Sequence, residues 1–355
     1  MSTVQFPNSK ASIPDFDSLA QSVKSIKRSA PAARDGAYTY FTDLLKLAST
    51  VADELDKQIT DALTSLPGSL GNIKAVPAIM EQIGKIDESE RTGKIPTDKA
   101  AIGRAQLQAK LGTAVSSTIK DFNAATTKLS EPIARLSNYA QRIEVRQKDT
   151  LATETSDQTR AKGDVAREDA RLKTLEERHD KLNSAVDKAR GGPTEDLVEL
   201  IPDEEELSSL VDVEAEDAAA PEVAAAKKAV ELSVKQVKKM LKLVDKTIEF
   251  IQLTKMRDEV YKAVKAQRSL KEAAQERLQT ANTTLALLDT FKTTGVTMAS
   301  LAAEASKLVT AFSTFATRLQ ELDGQPVTAD TLKGLENMES YLKDARAARN
   351  SVILT

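Results

Sequence analysis

Cysteine and tryptophan are absent from this 355-residue chain, and histidine occurs once. Without cysteine there is no disulfide and no thiolate chemistry, and cysteine usage gives no vote on redox compartment. One histidine leaves no nucleophile–base pair and no zinc site. The 13 glycines form no phosphate-cradling loop. Pairs of acids are common, but they fall on helix surfaces, where a solvated face explains them. The chain is therefore expected to be no enzyme and to need no cofactor or metal. No window approaches 18 uncharged apolar residues, so no constitutive transmembrane helix is expected. The N-terminus MSTVQFPNSKASIPDF lacks a basic stretch followed by an apolar run, so a Sec signal peptide is not expected either. Positive charge is not in excess: Lys and Arg number 50 against 53 Asp and Glu, for a net charge of −3. Nucleic acid, whose phosphates require clustered cations, is thus an unsuitable partner.

Aromatics make up 4% of the chain and charged residues 29%, a balance typical of long helices and coiled coils. Tyr38, Phe41, Leu45, Ala48, Ala52, Leu55, Ile59 and Ala62 alternate steps of three and four, which is a helical seam. Pro67 and Gly68 are expected to end it, and 67–98 reads as a turn-rich connector with one short helix near Ala78–Glu90. Val115 to Ile143 continues the pattern within a helical region from about Thr97 to Arg190, with Pro132 as an expected kink. Val230, Val234, Val237, Leu241, Val244, Ile248 and Ile251 form another seam. That helix is expected to run to about Thr290, break near Gly295 and resume over Leu301–Leu322, before a last helix ending about Arg349.

The fold class expected is all-α: an elongated helical bundle with a long antiparallel coiled-coil hairpin projecting from it. Residues 1–37 form an N-terminal arm with a helix at about Phe16–Arg28, and 38–145 with 285–355 form the bundle. Residues 146–190 with 223–284 form the hairpin and 191–222 its tip. Pairing about a centre near residue 206 sets Leu172 across from Leu241 and Phe122 across from Phe291.

Three features of the hairpin bear on function. Residues 191–222 hold twelve carboxylates and no Lys or Arg, yet Leu197, Val198, Leu200, Ile201, Leu207, Leu210, Val211 and Val213 are threaded through them. Leu207, Leu210 and Val211 share one helical face, so this tip reads either as a conditional membrane-contacting head or as an acidic solvated loop. After it, 227–246 carries seven lysines against Glu231 and Asp245. That block is either a solvated face or a set of cations for anionic headgroups. Finally, Val165 is the only large apolar residue in 152–171, whereas 242–261 is rich in them. Phe250, Ile251, Met256 and Val260 are therefore expected to face another protein chain rather than the interior, unless other helices cover the surplus. His179 falls on the seam Leu172, Leu175, His179, Leu182, Val186, as a pH-sensitive core position or a partly solvated residue.

A helical bundle with a long hairpin, an amphipathic head and no enzyme chemistry resembles the cytolysin A-type α-helical pore-forming toxins. It is most similar to the smaller B component of the two-component alpha-xenorhabdolysin toxins, chiefly over Tyr38–Leu66 and Thr97–Leu322. The resemblance implies a soluble monomer, secreted without a Sec signal peptide. It further implies that the monomer meets an A-type second toxin component and copies of itself in a hetero-oligomeric ring at the target-cell membrane. Heads in that family are often more apolar than 191–222 here. The competing class is a non-enzymatic coiled-coil scaffold or a BAR-like membrane-sculpting protein. The latter would need basic residues along a concave face, whereas the densest lysines crowd within 227–246.

Overall fold

Apolar side chains three and four residues apart place a continuous stripe on one side of a helix, and burial of that stripe is what holds the helix in a fold. The computed structural model describes residues 13–32, 38–191, 221–242, 250–321 and 329–353. They form α1 (Phe16–Ala32), α2 (Thr39–Ile73), α3 (Val76–Arg91), α4 (Thr97–Gly191), α5 (Pro221–Lys242), α6 (Phe250–Glu321) and α7 (Ala329–Ile353). No strand occurs among the described residues, and the fold is all-α. The chain divides into two compact units, Met1–Lys148 with Leu287–Thr355 and Asp149–Ala286, so α4 and α6 each contribute to both.

In the first unit, Leu45, Leu55, Ile59 and Leu63 of α2 are buried with Phe122, Leu129 and Leu136 of α4 and with Leu308, Phe312, Phe315 and Leu319 of α6. Phe122 meets Phe312 and Phe315 edge-on, with ring centroids 5.9 Å apart in each pair, and Phe315 meets Tyr341 of α7 at 5.4 Å. Phe291 stacks on Phe41 of α2 at 4.7 Å. The expected pairing of Phe122 with Phe291 is therefore wrong by six helical turns. Arg349 of α7 is buried and bonds Asp56 of α2 at 2.5 Å.

Helix α1 packs Phe16, Leu19, Val23 and Ile26 inward. Asp15 caps it, accepting the Ser18 N–H at 3.0 Å. The Asp15 N–H in turn donates to Glu304 Oε2 of α6 at 3.1 Å.

Two expected helix ends are not ends. α2 runs through Pro67 to Ile73, because Leu66, Leu70 and Ile73 stay on its buried face, and Thr118 Oγ1 donates to the Ser69 carbonyl at 3.1 Å. α6 runs without a break through Gly295. A Cβ there would lie 3.2 Å from Ile143 Cγ2 and 3.8 Å from the Ala140 carbonyl oxygen, so this glycine serves close approach to α4. The short helix of the connector extends over Val76–Arg91, and the turn after it uses Gly93 at φ 72°.

The second unit departs most from expectation. Residues 222–290 do not make one arm: α5 ends at Lys242 and α6 begins at Phe250. Gln158 of α4 bonds Asn282 of α6, Asp169 pairs with Lys271 at 2.5 Å, and His179 meets Tyr261, so contacts step down α6 as they step up α4 and the two helices are antiparallel. At its start α5 lines a small hollow with Glu168, Arg171 and Leu270 through Val223 and Lys227. Further along, the Gln236 side-chain amide lies against the Glu259 carboxylate of α6, 3.0 Å from one oxygen, where its NH2 group is able to donate. α5 therefore runs antiparallel to α6 and parallel to α4, and the described residues of the unit form a three-helix bundle. The 22 residues of α5 account for the misplaced register, since a third traverse was counted as part of the returning arm.

Two outcomes follow for stability. Gly295→Leu should lower it by about 1–3 kcal/mol through overpacking against Ile143. Gly163→Ala, with nothing within 4 Å of the added carbon, should raise it by about 0.5–1 kcal/mol; urea denaturation of both variants measures the contrast. The Glu304 carboxyl is held below the usual glutamate range, mainly by the Lys307 ammonium that donates to both its oxygens at 2.8 Å. A lowered carboxylate contributes stability that is complete above the ordinary glutamate pKa of about 4.3 and is lost as pH falls through the depressed value. The melting temperatures of the native chain and Glu304→Gln should differ at neutral pH, with the difference starting to shrink as pH falls below about 4.3.

Candidate partner-facing and membrane-facing surface

The second unit buries Leu172, Leu175, Leu182, Ala185 and Val186 of α4 with Val230, Val234 and Val237 of α5. From α6 come Leu253, Met256, Val260, Val264 and Leu270. Met256 and Val260 are fully enclosed. Their expected role as partner-facing residues is overturned, because the valines of α5 cover the stripe that α4 alone could not.

Phe250 and Ile251 lie outside that core, 38% and 60% exposed. They begin α6, where the Arg190 guanidinium at the end of α4 sits 5.6 Å from the Phe250 ring centroid, within cation–π range. Tyr261, 56% exposed, lies 5.5 Å from the His179 ring. His179 is 22% exposed at its side chain, between the fully buried Leu175 and Leu182. Asn183 Nδ2 lies 3.2 Å from its Nδ1 and the Asp180 carboxylate 3.6 Å from it. It is thus a rim residue and not a core one.

These contacts belong to a ladder. Arg190–Phe250, His179–Tyr261, Asp169–Lys271 and Gln158–Asn282 follow one another along α4 and α6. Each rung lies 10 or 11 residues from the next, about three helical turns, so all four fall on the same side of the pair.

Sequence reasoning missed Leu232 of α5, which is 50% exposed. The signal was present: Leu232 sits two residues from Val230 and Val234, off the stripe that they and Val237 define. Lys228, Lys235 and Lys239 are exposed around it. The expected membrane-contacting residues Leu197, Val198, Leu200, Ile201, Leu207, Leu210, Val211 and Val213 lie outside the described residues. Among the described residues, no helix is long and apolar enough to cross a membrane, and no group of three His, Asp or Glu could hold a metal ion.

Replacing Ile251 by Ser should leave the melting temperature nearly unchanged, within about 0.5 kcal/mol in stability, as for other exposed sites. Met256→Ala should cost about 2–5 kcal/mol. Chemical denaturation of the two variants separates surface from core on one helix.

No protein-family model matches the sequence, and no curated protein matches it. Solved structures do. PaxB from Photorhabdus luminescens superposes with a TM-score of 0.70 at 20% identity, over 98% of this chain and 99% of that one. The XaxAB pore complex from Xenorhabdus nematophila gives 0.68 at 19% identity, over 98% and 100%. The YaxAB pore complex gives 0.64 at 20% identity, over 97% and 100%. At the level of fold, the resemblance read from the sequence is borne out: the chain has the all-α fold of PaxB and of these pore-complex chains.

Proposed function

We infer that this chain is a non-enzymatic component of a two-component α-helical pore-forming cytotoxin. It acts outside the producing cell, where it assembles with an A-type partner and with copies of itself into a ring on the target membrane. One observation carries the reading: the fold agreement spans 97–98% of this chain and the whole of the chains from the two pore complexes. A helical hairpin alone, which unrelated coiled-coil proteins share, would not produce agreement over both units.

The chemistry of the second unit supports it. Exposed Phe250 and Ile251 offer apolar area to a partner chain. Leu197, Val198, Leu200, Ile201, Leu207, Leu210, Val211 and Val213 are the membrane-contacting set, interleaved with carboxylates that are expensive in hydrocarbon. In a ring, one face of such a segment meets lipid while its acids face an aqueous lumen; a lone chain has no lumen to offer them.

Dye-loaded vesicles test this. The purified chain alone should release little dye, and release should follow addition of the matching partner component. Leu207→Asp with Leu210→Asp should abolish release while circular dichroism stays helical. A stable homodimer by light scattering, with no release alongside any candidate partner, would replace the toxin reading with a scaffold.

A further inference from the structure

The outward positions of α5 carry charge of one sign. Lys228, Lys235 and Lys239 are all exposed, and steps of seven and four residues keep them on one stripe about 20–40° wide. Leu232 lies at one edge of that stripe, within its length, and is half exposed. Among the described residues, Lys228 and Lys239 have no carboxylate partner, and Lys235 has only Glu231 at 3.8 Å. The whole helix holds six lysines, no arginine, and two acids, Glu222 and Glu231, in a chain of net charge −3.

We propose that this face of α5 docks on an anionic lipid surface, with the three lysines over the headgroups and Leu232 entering between them. Lysine is a compact, hydrated charge on a flexible stem, suited to a diffuse field of headgroup charge. A protein surface with fixed carboxylates is better read by the planar arginine fork, which α5 lacks. A leucine amid lysines has nothing to pack on at a wet, charged protein contact. Just beneath lipid headgroups it meets hydrocarbon, the arrangement of interfacial amphipathic helices. The proposal rests on the membrane-acting reading of the chain but requires neither a partner nor a pore.

Flotation of the full chain with phosphatidylcholine vesicles, with and without phosphatidylserine, is the test. Binding should require phosphatidylserine and fall steeply with salt. Lys228→Gln, Lys235→Gln and Lys239→Gln together should weaken it about 100-fold, at roughly fivefold per lysine. Leu232→Gln should weaken it severalfold without changing the salt dependence. All these positions are exposed, so unchanged circular dichroism is expected throughout. Equal binding to uncharged vesicles overturns the proposal, as does native-like binding of the triple variant. If that variant keeps vesicle binding but loses self-association, the face docks protein and the lipid assignment is wrong. Phosphatidylserine-dependent flotation without dye release alongside any partner refutes the pore reading and leaves the docking face standing. Release that persists in the triple variant with no loss of flotation does the reverse.

Discussion

Leu253, Met256 and Val260 form a stripe on α6 that lies opposite Leu182, Ala185 and Val186 of α4, and a single facing helix leaves one side of such a stripe open to water. Val230, Val234 and Val237 supply the missing wall, and burying each such side chain contributes about 1.5–3 kcal/mol. Much of the second unit follows from that coverage. With its valines turned inward, α5 must present its lysines and Leu232 to solvent. Because α5 takes up the chain between the two long helices, α6 starts beside the end of α4, where Arg190 meets Phe250.

The helices were legible in the sequence because their signal is local. The heptads that begin at Tyr38, Val115 and Leu301 needed only the spacing of apolar residues, and over Phe41–Ala62, Val115–Ile143 and Leu301–Leu319 they lie in helix. The topology was less legible. Nothing in the proline-free run from Glu222 to Gln325 marks the division between α5 and α6, and treating it as one arm displaced Phe122 from Phe312 to Phe291. Pro67 and Gly295 misled for the opposite reason: each is a local breaker overridden by packing, one by buried leucines after it, the other by a neighbour that needs the space. The candidate surface divided the same way. Phe250 and Ile251 stood out as surplus apolar residues and are exposed, whereas Met256 and Val260 looked equivalent until α5 was in place.

One polar contact inside the second unit works with the apolar ones. Gln267 is almost completely buried, and its amide donates to Glu168 Oε2 at 2.5 Å and to the Glu168 carbonyl at 3.2 Å. The other Glu168 oxygen accepts from Arg171 at 3.3 Å. Buried polar groups are stable only when bonded, and leaving one unpaired costs about 1–3 kcal/mol or more for a charged group. A shift of α6 along α4 by even one turn would strand both side chains. Apolar heptads tolerate such shifts, since one leucine replaces another.

The ladder of α4 and α6 works like a vernier scale. Its divisions are nearly equal, about 16 Å apart along the helix axis, so a slide by one full division would realign the marks. The marks differ in chemistry, however. After such a slide Arg190 would face Tyr261, His179 would face the Lys271 ammonium, and Asp169 would face an amide in place of its cation. Periodicity invites the helices to slip, while the order of the rungs leaves a single setting in which cation meets ring, ring meets ring, and acid meets base.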